Sequence, residues 1–223
     1  MLRFNYSART EVPKRKAMKT LIVARHGNTF EKHETPRRIG ANTDMLLTPT
    51  GQAQAEKIGR YLQANNLLPD KVYTSPLMRA RQTLETAMLT IPLVMQPHIE
   101  PFLTEIDYGP DENKTEDEVI GRIGRGAIED WNRQGILPPG WNADLGAIIQ
   151  GWQDLAAGIV AGAENTVMAV TSGGIARFAP QIMPDQDYLA FLDKHALKVA
   201  TGSLSIFQHD GEKWAMKGWN LKP

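Results

Sequence analysis

The sequence predicts one α/β domain in which helices cover both faces of a mostly parallel sheet. Three observations carry that expectation. Short apolar, β-prone runs at Thr20–Ala24, Lys71–Thr74, Leu93–Gln96 and Thr166–Val170 alternate with longer helical patterns, as expected of parallel strands buried on both faces. Two helices are announced by a hydroxyl residue followed by proline, at Thr48-Pro49 and Ser75-Pro76. The hydroxyl oxygen accepts from a free backbone N–H of the first turn, and proline at the first helical position lacks a donor that has no partner there anyway. Finally, 223 residues are enough to bury one core, and no repeat, low-complexity tract or linker divides them.

Taken in order, residues 1–18 read as a basic N-terminal extension (Arg3, Arg9, Lys14, Arg15, Lys16), with Met18 as an alternative start just ahead of the first strand. The domain spans 19–223. The first strand stops at Arg25-His26-Gly27, and a polar loop with Pro36 and Gly40 follows. A helix from Thr48-Pro49 to about Asn65 turns Ala53, Ile58, Tyr61 and Leu62 inward. Ser75-Pro76 opens a second helix, to about Leu89. Pro101–Asn113 is irregular, and Thr115 with Glu118 has the capping-box spacing of a further helix start. Pro138-Pro139-Gly140 breaks the chain before a helix over Asn142–Val160. The stretch 100–140 reads as an insertion or lid. The fourth strand ends in Thr171-Ser172-Gly173-Gly174, followed by helical segments at 175–181 and 187–197. A hairpin of Ser203–Gln208 and Lys213–Trp219 turns at Asp210-Gly211.

Composition narrows the chemistry. Lysine plus arginine and aspartate plus glutamate number 25 each, so the net charge is zero. That balance speaks against nucleic acid as a bulk partner, and any anion site must be a local cluster of Arg and His. The absence of cysteine excludes disulfides, Cys-ligated zinc and a thiolate nucleophile, and it fits a cytoplasmic location. No apolar stretch reaches the roughly 18 residues of a membrane span, so no membrane is expected as a partner.

Three strands end in polar loops: Arg25-His26-Gly27-Asn28-Thr29, Ser75-Pro76-Leu77-Met78-Arg79 and Thr171-Ser172-Gly173-Gly174. Ligands of open α/β sheets bind beyond the carboxyl ends of the strands, where these loops can meet. A neutral imidazole there can attack phosphorus through a ring nitrogen. Adjacent arginines grip phosphoryl oxygens bidentately. Gly27 allows close backbone approach, and Asn28 and Thr29 add neutral donors. A carboxylic acid must protonate the leaving oxygen.

The string Leu21-Ile22-Val23-Ala24-Arg25-His26-Gly27-Asn28-Thr29 resembles the Arg-His-Gly signature of the histidine phosphatase (phosphoglycerate mutase-like) superfamily. Val72–Thr83, containing Ser75-Pro76-Leu77-Met78-Arg79, is close to its second signature. Leu103–Gly109 resembles the segment carrying its acid, and Val170–Gly174 falls where the family has a second histidine. The resemblance covers about 19–220 in the right order. It implies a three-layer α/β/α sandwich and a phosphorylated small-molecule substrate, with no metal and no cofactor. His26 would be the phosphorylated nucleophile and Arg25 and Arg79 the phosphoryl ligands. Glu105 would be the proton donor, with Asp107 and Glu100 as rivals. Arg37 would be a further contact, with Arg38 as its rival. Asn28, Thr29, Ser172 and Gly173 complete the expected phosphate and substrate contacts.

Two departures from the family stand out. Asn28 replaces a longer acid or amide, and Ser172 replaces the second histidine, which removes a charge-assisted donor. That loss is worth on the order of 1.5–4 kcal/mol of transition-state stabilisation, or roughly 10- to 1000-fold in rate, unless it is compensated. The expected function is therefore a phosphomonoesterase, attenuated to a degree set by Ser172. The alternatives are a phosphoglycerate mutase-type isomerase and a non-catalytic binder of phosphorylated ligands. Arg81, His33, His98, His195 and His209 read as incidental, and Trp131, Trp141 and Trp152 as packing residues.

Overall fold

A computed structural model describes residues 18–223. The extension expected at 1–18 lies outside the described residues, apart from Met18. The first strand, β1 (Lys19–Arg25), is buried along nearly its whole length. Its side chains alternate: Leu21 and Val23 enter the core on one face of the sheet, and Ile22 and Ala24 the core on the other. A strand buried on both faces needs a neighbour on each side, and β1 has β4 (Thr166–Thr171) parallel and β5 (Leu204–His209) antiparallel. With β2 (Lys71–Thr74), β3 (His98–Ile99) and β6 (Trp214–Leu221), the six-stranded order is β3-β2-β4-β1-β5-β6.

Helices α1 (Pro49–Ala64) and α2 (Met78–Met88) cover one face, with Ile58, Leu62, Ala80, Leu84 and Ala87 on Ile22, Met168 and Val170. The other face carries α3 (Glu116–Gln134), α4 (Leu145–Ala161), the single turn α5 (Gly173–Ala176) and α6 (Asp185–Leu192). The architecture is thus the three-layer sandwich that the strand–helix alternation implies. Trp131, Trp141 and Trp152 are all buried on this second face. No described helix is long and apolar enough to cross a membrane.

The caps work largely as read. Thr48 accepts from Gly51 N–H at 3.2 Å ahead of Pro49, and Thr115 and Glu118 form the reciprocal capping box of α3. Gly124, at φ 81°, breaks α3 internally, and Gly135, at φ 72°, ends it in the left-handed conformation.

Three expectations are corrected. Leu93–Gln96 is not a strand. Pro92 and Pro97 flank it without N–H donors, Val94 is 99 % exposed, and the sheet edge is extended instead by His98–Ile99 beside Tyr73–Thr74. Ala53 faces solvent, and Ala55 takes the inward position, in phase with Ile58 and Leu62. Ser75 does not cap α2. Its hydroxyl accepts from Leu77 N–H at 3.2 Å, and the first helical N–H, that of Met78, goes to the Asp44 carboxylate at 2.7 Å. The 38–44 loop is thereby pinned to the start of α2.

A buried carboxylate fastens the 100–140 stretch. Asp111, 1 % exposed, accepts from Arg122 through both oxygens and from Trp141 Nε1–H at 2.7 Å. Burial pushes its pKa up, but the Arg122 and Trp141 hydrogen bonds together outweigh burial and hold it below the usual carboxylate value. A depressed folded-state pKa gives stability that is present above the unfolded value of about 3.9 and is lost as pH falls through the folded value. Asp111→Asn should therefore lower stability at neutral pH by about 1–3 kcal/mol and flatten the acid limb of a plot of denaturant midpoint against pH. An unchanged acid limb would place the acid sensitivity elsewhere.

Candidate functional site

The topology brings the three loops together. β2, β4 and β1 are adjacent and parallel, and Ala24 and Thr74 both stand opposite Val170. The loops after them therefore leave the sheet at one level, at its carboxyl edge. The first loop is tied from several sides. His26 N–H donates to Thr171 O at 2.9 Å, Gly27 N–H to Thr83 Oγ1 at 3.0 Å, and Thr48 N–H to Asn28 O at 3.0 Å. Gly27 and Gly51 meet backbone to backbone: a Cβ on Gly27 would fall 2.3 Å from Gly51 O. That contact seats the N-terminus of α1 against the histidine loop, and no side chain fits between them.

His26 is 5 % exposed. Its Nδ1 lies 2.8 Å from Gly27 O. A carbonyl only accepts, so Nδ1 carries the proton and Nε2 presents its lone pair. Arg79 Nε donates to that lone pair at 3.2 Å. Burial first, then the charges of Arg79 and Arg25, hold the imidazole pKa well below its ordinary value, so His26 is neutral at physiological pH. Arg79 is itself fully buried and donates to Thr43 O at 2.8 Å and Gly40 O at 3.1 Å. Arg25 donates from Nη1 to Val199 O, and its Nε is buried with no hydrogen-bond partner. Among the described residues neither arginine has a salt-bridge partner. A buried Arg79 and a half-buried Arg25, held by carbonyls and a neutral imidazole with no ion-paired carboxylate, are poised for an anion.

Glu105, 5 % exposed, is fixed by Ile106 N–H at 2.9 Å on one oxygen and Gly174 N–H at 3.1 Å on the other. The Ser172-Gly173-Gly174 loop is glycine-rich for a packing reason. A Cβ on Gly173 would press on the Arg25 guanidinium at 3.1 Å, and one on Gly174 would lie 2.1 Å from the Glu105 carboxylate. The loop thus lets an arginine and a carboxylate pack directly on its backbone. Ser172 is fully buried, and its hydroxyl has no hydrogen-bond partner.

Arg25, His26, Glu105 and Gly173 border a cleft of about 470 Å³. Of the residues expected from sequence, Arg25, His26, Asn28, Thr29, Arg37, Glu105 and Gly173 line it. Arg79 and Ser172 are buried and are not among its lining residues; Arg79 bonds directly to His26. Asn28 Oδ1 accepts from the Thr201 hydroxyl. Of the rival acids, Asp107 is bound to Gly109 N–H and Asn142, and Glu100 borders a different groove. Arg37 and Arg38 share the rim: Arg37 donates to Asn113 O at 3.0 Å, while Arg38 pairs with Glu116 and stacks on Trp141 at 4.7 Å. Arg81 is exposed, away from the cleft.

Sequence reading missed Arg177, Lys198, Tyr108 and Thr201, which also line the cleft, and it favoured packing over lining for Trp131, which does both. Arg177, 5 % exposed, stacks on Trp131 with its Cζ 3.8 Å from the ring centre. Burial lowers its pKa to about 10. Its one sequence signal is its position five residues after Ser172, on the helical segment leaving the site loop. Lys198, Val199 and Thr201 come from the irregular stretch before β5, where no periodicity marks them. Among the described residues, no group of three or more His, Asp or Glu side chains is arranged to hold a metal ion.

The family model of the histidine phosphatase superfamily (branch 1) matches residues 21–222. A 2,3-bisphosphoglycerate-dependent phosphoglycerate mutase of Tropheryma whipplei is 30 % identical over 123 residues, 55 % of this chain and 55 % of that protein. The chain thus spans about half the length of the curated relatives it matches. Among solved structures, one titled Mycobacterial hydrolase 1 superposes with a TM-score of 0.74 at 19 % identity, covering 92 % of this chain and 100 % of that one. A mycobacterial glucosyl-3-phosphoglycerate phosphatase superposes with a TM-score of 0.70 at 18 % identity, over 91 % and 99 %. A sheet whose carboxyl edge carries a neutral, buried histidine between two unpaired arginines, in a chain matched almost end to end by this family model, leads to one assignment: the chain belongs to the histidine phosphatase superfamily.

Proposed function

We propose that the chain is a phosphomonoesterase working through a phosphohistidine on His26. The observation that carries this reading is the fixed tautomer: Nδ1–H is held on Gly27 O, so the Nε2 lone pair is the free nucleophile. The Arg79 hydrogen bond to Nε2 passes to a phosphoryl oxygen when substrate arrives, with Arg25 on another. Nε2 attacks phosphorus, the P–O bond to the leaving group breaks, and Glu105 in its acid form gives that oxygen a proton. The Glu105 carboxylate then accepts a proton from water as the water attacks phosphorus, releasing phosphate and restoring His26. Asn28, Thr29, Arg37 and Gly173 contact the phosphate or the substrate from the cleft wall.

Ser172 stands in this reading where the second imidazole of the family acts. Its unpartnered hydroxyl and the unpartnered Arg25 Nε are two buried donors, and a phosphoryl oxygen is an acceptor for both. The hydroxyl is uncharged, so turnover is attenuated rather than abolished. The matched mutase supports a second reading, an isomerase of phosphoglycerates. The two differ in product. Phosphatase activity releases phosphate from many small phosphomonoesters, whereas a mutase interconverts phosphoglycerates faster than it releases phosphate.

The test is to quench turnover of a 32P-labelled aryl phosphate in alkaline denaturant, which preserves phosphohistidine. Label should be found on His26 in the native protein and be absent from His26→Ala. Turnover with no label on His26 would end this proposal.

A further inference from the structure

The charge around the cleft is not evenly distributed. On the rim formed by the 37–38 loop and α3, Arg38 is answered by Glu116. Toward the other end of α3, where they bond to Trp131 O and Asn132 O, Arg177 and Lys198 have no salt-bridge partner among the described residues. The Arg177 guanidinium is rigidly mounted. Its Nε donates to Gly173 O at 3.1 Å and Nη1 to Trp131 O, and its flat face lies on the Trp131 ring. Only Nη2 is left without a partner, on a side chain that lines the cleft. Lys198 is exposed on the same cleft wall, and its backbone is fixed by its N–H bond to Asn132 O at 2.9 Å. The phosphoryl site does not need these groups, since Arg25 and Arg79 already stand beside His26. The Glu105 carboxylate eases the burial of Arg177 but is itself held by Ile106 N–H and Gly174 N–H, so the free Nη2 and the exposed Lys198 ammonium leave the cleft lining with a surplus of positive charge that an anion would answer.

Resting on the phosphomonoesterase reading, we propose that Arg177 and Lys198 form a second anion subsite, and that the substrate is a small phosphomonoester whose leaving group carries its own carboxylate or second phosphate. The guanidinium supplies one directed hydrogen bond from a fixed position, and the ammonium adjusts to the length of the leaving group. Neutral leaving groups of the same size fill the cleft without engaging either cation.

The test compares glycerate 3-phosphate, glucose 1,6-bisphosphate and the uncharged-tail analogue glycerol 3-phosphate, read as ratios of kcat/KM. The native enzyme should favour at least one of the two doubly anionic substrates over glycerol 3-phosphate by about tenfold or more. The ratio should fall severalfold in Lys198→Gln and to near one in Lys198→Gln/Arg177→Gln, mainly through KM. Lys198→Arg should restore most of it. Which substrate gains more tells carboxylate from phosphate. A native ratio near one for both substrates, or ratios that the Lys198→Gln variant leaves unchanged, would overturn the subsite while leaving His26-dependent turnover intact. Should no substrate be turned over, thermal stabilisation settles the two ideas separately. Stabilisation by glycerate 3-phosphate beyond that by glycerol 3-phosphate, lost in Lys198→Gln, keeps the subsite and rejects the phosphatase; equal stabilisation rejects both.

Discussion

Replacing His26 by alanine should lower kcat/KM for an aryl phosphate by about four orders of magnitude or more, because the nucleophile of a two-step transfer has no substitute nearby. The sharper part of this prediction concerns pH. An imidazole with an ordinary pKa of about 6.5 would be largely protonated at pH 5.5 and useless as a nucleophile. His26 is different: burial, and then Arg79 and Arg25, hold its pKa well below that value. The neutral, attacking form therefore persists as pH falls through 6.5, and the Nδ1–H bond to Gly27 O keeps Nε2 unprotonated. In a pH profile from 7.5 to 5.5, kcat/KM should show no titration near 6.5. With the second ionisation of the substrate phosphate, at about 6, divided out, a tenfold fall per pH unit beginning there would mean that His26 protonates normally and that its burial is relieved in solution. Arg79→Gln bears on the same point, since it removes one of the two charges that disfavour the imidazolium.

Glu105→Gln should cost on the order of 10²- to 10⁴-fold in kcat for alkyl phosphates and much less for p-nitrophenyl phosphate. An alkoxide leaves poorly without a proton, whereas nitrophenolate leaves unaided. The variant keeps the size of the side chain and its acceptor oxygen for Ile106 N–H or Gly174 N–H, so the loop is preserved while the transferable proton is lost. Measuring both substrates separates the acid from a structural role. Equal losses on the two would show that Glu105 only positions the Gly174 loop. Gly174, where a Cβ would fall 2.1 Å from the Glu105 carboxylate, enforces the position of that group.

Much of this was readable in the chain because it depends on local chemistry. Strand–helix alternation, Thr48-Pro49 and the Thr115/Glu118 box are short-range signals, and each marks an element that the structure contains. The failures are equally instructive. Leu93–Gln96 has β-prone residues, but two prolines remove the donors that a ladder needs, and the two-residue strand at His98–Ile99 carries no periodicity to detect. Ser75-Pro76 looks like a helix start, yet Asp44, from a loop more than thirty residues earlier, takes the first N–H of α2.

The candidate site divides in the same way. By itself the sequence determined the α/β class and placed His26, Arg25, Arg79 and the Ser172-Gly173 loop at or just after strand ends, because strand ends and glycine-rich turns are written in adjacent residues; Glu105, in an irregular stretch, is picked out only by the family resemblance. Only the tertiary structure decided which nitrogen of His26 is unprotonated, which of Glu105, Asp107 and Glu100 borders the cleft, and that Arg177 and Lys198 line it with no salt-bridge partner among the described residues. The carbonyl that fixes the tautomer is that of the adjacent Gly27, but the burial and the Arg79 contact that keep the ring neutral, and the Trp131 ring that mounts Arg177, come from groups distant in the chain. Burial and charge balance are sums over neighbours in space, and no window of sequence contains them.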